Sequence, residues 1–159
     1  YTLNTNGAFS TNAGSFNDTA PTSTVVNVNT DQTTNESGDS MVMYCWHSVK
    51  GYSSFGKFVG NGNANGPYIH LGFKPALFMA KSTGVENWIV LDNARPGYNP
   101  TGNYIYWNLS NAEGGAGGEY VDLLSNGVKI RTTGATIASA ENYVYMAWAE
   151  MPQKYSLAR

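Results

Sequence analysis

Chemistry in this chain has few places to start. His47 and His70 are the only histidines, and Cys45 is the only cysteine. A metal centre needs further Cys, His or carboxylate ligands at a recognisable spacing, and none accompanies them, so neither metal nor cofactor is expected. Cys45 stands within Met41-Val42-Met43-Tyr44-Cys45-Trp46-His47-Ser48, a run read as an apolar strand, where a thiol is expected to be buried and inert. The carboxylates Asp92, Glu113, Glu119 and Asp122 are the candidates for a glycosidase pair, which requires two groups about 5–10 Å apart; their spacing ties no two of them to one place. Loop solvation is the competing role for all four. A Gly-x-Ser-x-Gly nucleophile elbow is missing, and Gly60-Asn61-Gly62-Asn63-Ala64-Asn65-Gly66 lacks the Lys and the following helix of a phosphate loop. No catalytic set is expected.

The aromatic residues say more. Tyr98, Tyr104, Tyr106 and Trp107 cluster around Asn99, Asn103 and Asn108. Exposed rings beside amides stack on sugar faces and hydrogen-bond hydroxyls, and Tyr and Trp also anchor protein interfaces. Tyr98, Asn99, Tyr104, Tyr106 and Trp107 are therefore the glycan- or receptor-binding candidates. Core packing competes for at least half of them: strand alternation puts Tyr104 and Tyr106 on one face and Ile105 and Trp107 on the other.

The elements that would carry these residues follow from composition and punctuation. The 159 residues are 42% hydrophobic, 13% aromatic and 13% charged, with 18 Gly and 11 Tyr. Such a mixture favours short strands joined by tight turns. Strands are expected near Phe55–Val59, Tyr68–Phe73, Ala76–Lys81, Trp88–Asp92, Asn103–Asn108, Tyr120–Leu124, Gly127–Thr132 and Tyr143–Glu150, separated by Gly-, Asn- and Pro-rich turns. Their number and spacing predict an all-β, antiparallel β-sandwich of jelly-roll or lectin-like type. Ala135–Asn142 has room for one helical turn, but its place between two strands favours a loop. In Gly127-Val128-Lys129-Ile130-Arg131 the cations point one way and the aliphatic side chains the other.

Met41–Ser48 and Tyr143–Glu150 read as two copies of one strand at an offset of 102 positions (143 − 41). The same offset aligns Val26 with Val128, Thr30 with Thr132, Thr34 with Thr136, Ser37 with Ser139, Val42 with Val144 and Trp46 with Trp148. Residues 1–48 are accordingly expected to be the C-terminal half of a preceding β repeat, and residues 49–159 a complete unit. Residues 1–40 carry only Tyr1, Leu3, Phe9, Phe16, Val25, Val26 and Val28 as large apolar side chains. Ordering that backbone costs about 1–2 kcal/mol per residue, far more than burying those side chains returns at about 1.5–3 kcal/mol each. The segment is expected to lean on the rest of the chain, a neighbouring subunit or upstream sequence. The start at Tyr1 rather than Met fits a processed protein or a fragment. Both repeat strands are apolar on two faces, which marks a covered central strand or a subunit interface; Met41, Met43, Tyr143 and Tyr145 are the interface candidates.

A formal net charge of −2 with scattered Lys and Arg supplies no electrostatic footprint for nucleic acid. No apolar run approaches the ~20 residues that span a bilayer, so membrane insertion is not expected.

Several motifs, in one order, resemble a family. They are Asn17-Asp18-Thr19-Ala20-Pro21-Thr22-Ser23, Asn35-Glu36-Ser37-Gly38, Tyr44-Cys45-Trp46, Gly51-Tyr52-Ser53-Ser54-Phe55-Gly56-Lys57-Phe58 with Gly60-Asn61-Gly62, Gly72-Phe73-Lys74-Pro75 with Lys81, Asn87-Trp88 with Asp92, Leu124-Ser125-Asn126-Gly127 and Tyr143–Glu150. Together they are similar to a C-terminal domain of tail-fibre and other virion structural proteins of tailed bacteriophages, many of them marine. Met151–Arg159 resembles the natural C-terminus of such proteins. Departures are Lys57 and Val59, where the family often reads Ser and Thr, and Met41-Val42-Met43 in place of a Tyr-rich lead. The resemblance implies a non-enzymatic protein of the virion, on a tail fibre or the capsid surface. Its implied partners are other virion proteins, in a homotrimer if it is a fibre, and a host surface glycan or outer-membrane receptor. A purely structural capsid-decorating or fibre-shaft module is the alternative, and a virion-associated glycan-degrading enzyme the third reading.

Overall fold

The structure is a computed structural model that describes residues 3–95, 98–115 and 120–150. Its chain divides into two compact units, residues 9–46 and the remainder.

The larger unit carries eight strands: β1 (Ser53–Val59), β2 (Tyr68–His70), β3 (Pro75–Ser82), β4 (Ile89–Asp92), β5 (Tyr104–Tyr106), β6 (Val121–Leu124), β7 (Gly127–Ile130) and β8 (Asn142–Ala149). They form two antiparallel sheets, one in the order β1-β8-β3-β4-β5 and one in the order β2-β7-β6. The fold is the expected all-β sandwich. One helical turn, α3 (Ala135–Ala138), interrupts the run from β7 to β8, where a loop was the favoured expectation.

Alternation decides what each strand buries. Phe58, Phe78, Ile89, Leu91, Tyr143 and Ala147 of the larger sheet meet Ile69, Val121, Leu123, Val128 and Ile130 of the smaller one, and Ile137 and Ala138 of α3 join the same core. Phe58 and Tyr143 stack at 4.8 Å with their planes 8° apart. The opposite face of the larger sheet holds a second apolar cluster of Met79, Trp88 and Val90, with Leu77, Ile105, Val144 and Met146 packed against it. Beside it Lys81 is fully buried, its Nζ donating to the carbonyls of Asn6, Ser82 and Gly84 at 3.4, 3.2 and 3.0 Å. Burial holds its ammonium below its ordinary range, and the charges of Glu86 and Glu141 oppose that shift.

In β7 the alternation is as expected. Val128 and Ile130 are buried, while Lys129 reaches the Gly66 carbonyl and Arg131 the Asp122 carboxylate. The Gly60–Gly66 segment is a loop laced by its own amides: Asn61 Oδ1 accepts from Asn63 N at 3.0 Å, and Asn63 Oδ1 from Asn65 N at 2.8 Å. Those side chains satisfy backbone groups rather than present them to a phosphate.

Residues 9–46 carry two single helical turns, α1 (Ala13–Phe16) and α2 (Gln32–Asn35), capped by Asn12 and Asp31. Asn12 Nδ2 donates to Asp31 Oδ2 at 2.7 Å, joining the two caps. At the offset of 102, α2 falls within a residue of α3. The expected strand is not repeated: Met41–Ser48 forms none. The physical reason lies in β8, which is held between β1 and β3 along its length; among the described residues no strand flanks Met41–Ser48, and a strand exists only through its partners. Cys45 is correspondingly exposed, not buried.

Tyr143 and Tyr145 also depart from expectation. Both point into the sandwich core, where Tyr143 is fully buried and its hydroxyl donates to the Ala135 carbonyl at 3.0 Å. A strand with two apolar faces hides one of them inside its own domain, and these are the residues of that face. They are not available to a neighbouring subunit.

Candidate functional site

The chain from Tyr98 to Thr101 runs along β6, which forms one edge of the smaller sheet. Asn99 serves as a substitute strand partner there: its Nδ2 donates to the Leu123 carbonyl at 3.0 Å and its Oδ1 accepts from Leu123 N at 2.9 Å. One step on, Thr101 N donates to the Val121 carbonyl at 2.8 Å and Val121 N to the Thr101 carbonyl at 3.0 Å. The segment covers an edge that would otherwise offer bare backbone donors and acceptors.

Fixing this segment creates a cavity of about 200 Å³, lined by Lys74, Asn93, Tyr98, Asn99, Thr101, Leu123 and Glu150. Tyr98 stands at it with 75% of its surface exposed. Lys74 and Glu150 form an ion pair at 2.8 Å, brought together because Glu150 N donates to the Lys74 carbonyl at 2.8 Å where β8 ends beside the start of β3. Thr101 is 2% exposed, and its hydroxyl oxygen has no hydrogen-bond partner among the described residues. Buried hydroxyls are seldom left so.

The five sequence candidates therefore separate. Tyr98 and Asn99 line the cavity, Tyr98 by its exposed ring and Asn99 as the anchor of the segment. Tyr104 and Tyr106 are half-buried, pack against the core and meet edge-on at 5.2 Å. Ile105 packs against the second cluster on the other face, as alternation requires. Trp107 lies past the end of β5, 58% exposed, its backbone N–H bonded to the Trp88 carbonyl. Lys74, Asn93, Thr101 and Glu150 were missed. Motif spacing carries no trace of them, because they meet only when the β3 and β8 ends and the β6 edge are assembled.

Of the candidate carboxylates, Asp92 and Glu113 do come together, on one guanidinium. Arg95 Nε lies 2.7 Å from Asp92 Oδ2 and 3.5 Å from Glu113 Oε2. Asp92 also accepts from the backbone of Ala94 and Arg95, and Glu113 from Asn103. Asp122 pairs with Arg131, and Glu119 lies outside the described residues. A glycosidic oxygen or water would have to displace Arg95 to use the first pair. His47 and His70 lie apart, each beside neighbouring loop or strand groups. Among the described residues no three His, Cys, Asp or Glu side chains converge on a metal position, and no helix is long and apolar enough to cross a membrane.

In the unit of residues 9–46, a cavity of about 350 Å³ is lined by Phe16, Val26, Met41, Met43, Tyr44 and Cys45 among others. Val42 is 78% exposed beside it, and Tyr44 and Trp46 stack at 6.1 Å.

Fold and surface together define an all-β sandwich domain with a small polar cavity beside its β6 edge. The family model for "Domain of unknown function (DUF7483)" matches residues 1–152, and the chain belongs to that family. No curated protein matches the chain, and no solved structure does.

Proposed function

We propose that this chain is a virion protein of tail-fibre type from a tailed bacteriophage, non-enzymatic, that attaches the particle to the host surface through a glycan or an outer-membrane receptor. The motif resemblance supplies the virion setting. The observation that carries attachment is the exposed Tyr98 ring at the Lys74–Glu150 cavity, since an aromatic face next to paired polar groups suits a sugar. Trp107 offers a second exposed ring. Engagement of Asp92, Glu113 and Asp122 by arginines favours binding over hydrolysis.

The test is competition. Purified protein in excess should block adsorption of the phage to its host, and the Tyr98→Ala protein should block less. Unimpeded adsorption at saturating protein would refute an attachment role.

A structural role is the second reading, favoured by the apolar exposure of Met41, Val42, Met43, Tyr44 and Trp46. Contact with other virion proteins, or with two further copies in a homotrimer, would cover these residues. Reconstruction of the whole particle separates the readings: a fibre-tip position supports attachment, and a shaft or capsid-surface position with this region enclosed supports the structural module.

A further inference from the structure

The cavity at Tyr98 is small, polar and charge-balanced. At about 200 Å³ it falls below the about 300–1,000 Å³ that encloses a drug-sized ligand, and it would hold on the order of six or seven waters at roughly 30 Å³ each. That is room for one ring, with the rest of a larger ligand outside. Its wall offers Leu123 as an apolar surface, the Asn93 amide, the Tyr98 ring and the Lys74–Glu150 pair. An ammonium beside a carboxylate supplies donor and acceptor side by side, the arrangement that adjacent hydroxyls of a sugar complete. Among the described residues of that lining the charged ones are Lys74 and Glu150, which cancel one another. Thr101 also lines it, with its hydroxyl sealed off from solvent and without a partner among the described residues.

We infer that this cavity is a subsite for a single neutral pyranose unit. Two adjacent hydroxyls bind Lys74 and Glu150, and the Tyr98 ring lies against the C–H face. The inference rests on the attachment reading and narrows it to one sugar class and one place.

The experiment uses the whole chain and ligand-observed NMR with methyl glycosides of glucose, galactose, mannose and N-acetylglucosamine, and with glucuronic acid as the acidic probe. At least one neutral glycoside should bind, and glucuronic acid at least about tenfold more weakly. Tyr98→Ala removes the exposed ring and should weaken binding about tenfold or more, because the C–H face of the sugar is then left in water. Its melting temperature should match the parent's, since the ring is exposed, which separates binding from folding. Lys74→Met should weaken binding as well. Parent-like binding by the Tyr98→Ala protein, or a preference for glucuronic acid, overturns the subsite while leaving surface attachment standing. Binding of envelope glycans through Trp107 alone, with no monosaccharide bound, does the same. No binding to any glycan overturns the subsite, whereas attachment itself falls only if the protein leaves adsorption unimpeded.

Discussion

Replacing Asn99 with Ala removes both hydrogen bonds that tie the Tyr98–Thr101 segment to the β6 edge. Leu123 is buried, so its N–H and C=O, now held at 2.9 and 3.0 Å, would each lose a partner out of easy reach of water. An unsatisfied buried group costs about 1–3 kcal/mol; partial access for water along an edge strand puts the pair at about 2–4 kcal/mol. For a chain of this length about 2–4 °C of melting temperature follows each kcal/mol, so the Asn99→Ala protein should melt about 5–15 °C below the parent in calorimetry. Asn99→Asp keeps an acceptor for Leu123 N and faces the Leu123 carbonyl with a like charge, so it should also melt below the parent. Because the same residue places Tyr98, sugar affinity measured well below the melting point should fall too. An Asn99→Ala protein melting within about 2 °C of the parent would refute the edge-capping role, and with it the account of how the cavity is held.

Four further outcomes follow from the structure. Since burial lowers the Lys81 pKa from 10.5, the unfolded chain holds more protons than the folded one between the depressed value and 10.5. Urea-unfolding stability therefore gains a contribution as pH rises through that window, and the Lys81→Met protein should lack this gain. Asp31 is shifted the other way, chiefly by the hydrogen bonds from the Thr33 side chain and backbone. Its stabilising contribution is present above 3.8 and lost as pH falls through its lower folded value, so amide exchange at Thr33 and Asn35 should accelerate there, and at neutral pH in the Asp31→Ala protein. Gly60→Ala would press a Cβ into the Ser139 carbonyl oxygen; a backbone clash of this kind should lower stability by about 2 kcal/mol or more, read by denaturant unfolding. If Met41–Trp46 is an interface between copies, light scattering should give a trimer that Val42→Asp dissociates, and a 17.2 kDa monomer for the parent would count against it.

The sandwich was legible because its strands advertise themselves. Each strand expected between Phe55 and Glu150 is present, with ends moved by a few residues; β2, for instance, ends at His70 rather than Phe73. The alternation in Asn103–Trp107 puts Tyr104 and Tyr106 on one face and Ile105 on the other, which holds, while which of the two meets the main core is visible only in the structure. What failed depended on partners. Met41–Ser48 has the composition of β8 without flanking strands and makes no ladder. Tyr143 and Tyr145 were assigned to an interface because two-faced apolarity does not tell which face a domain keeps for itself. Most of the cavity escaped notice for a related reason. Lys74 and Glu150 stand 76 positions apart (150 − 74) and meet only through the β3–β8 register, and an unpaired Thr101 hydroxyl is a property of packing.

The most direct measurement is a glycan array probed with the parent and with Tyr98→Ala, both shown to be folded by their melting curves. Attachment through the Tyr98 cavity predicts that the parent retains a set of glycans displaying neutral sugars and that Tyr98→Ala loses them. Equal binding by both proteins, or no glycan retained by the parent, would contradict it.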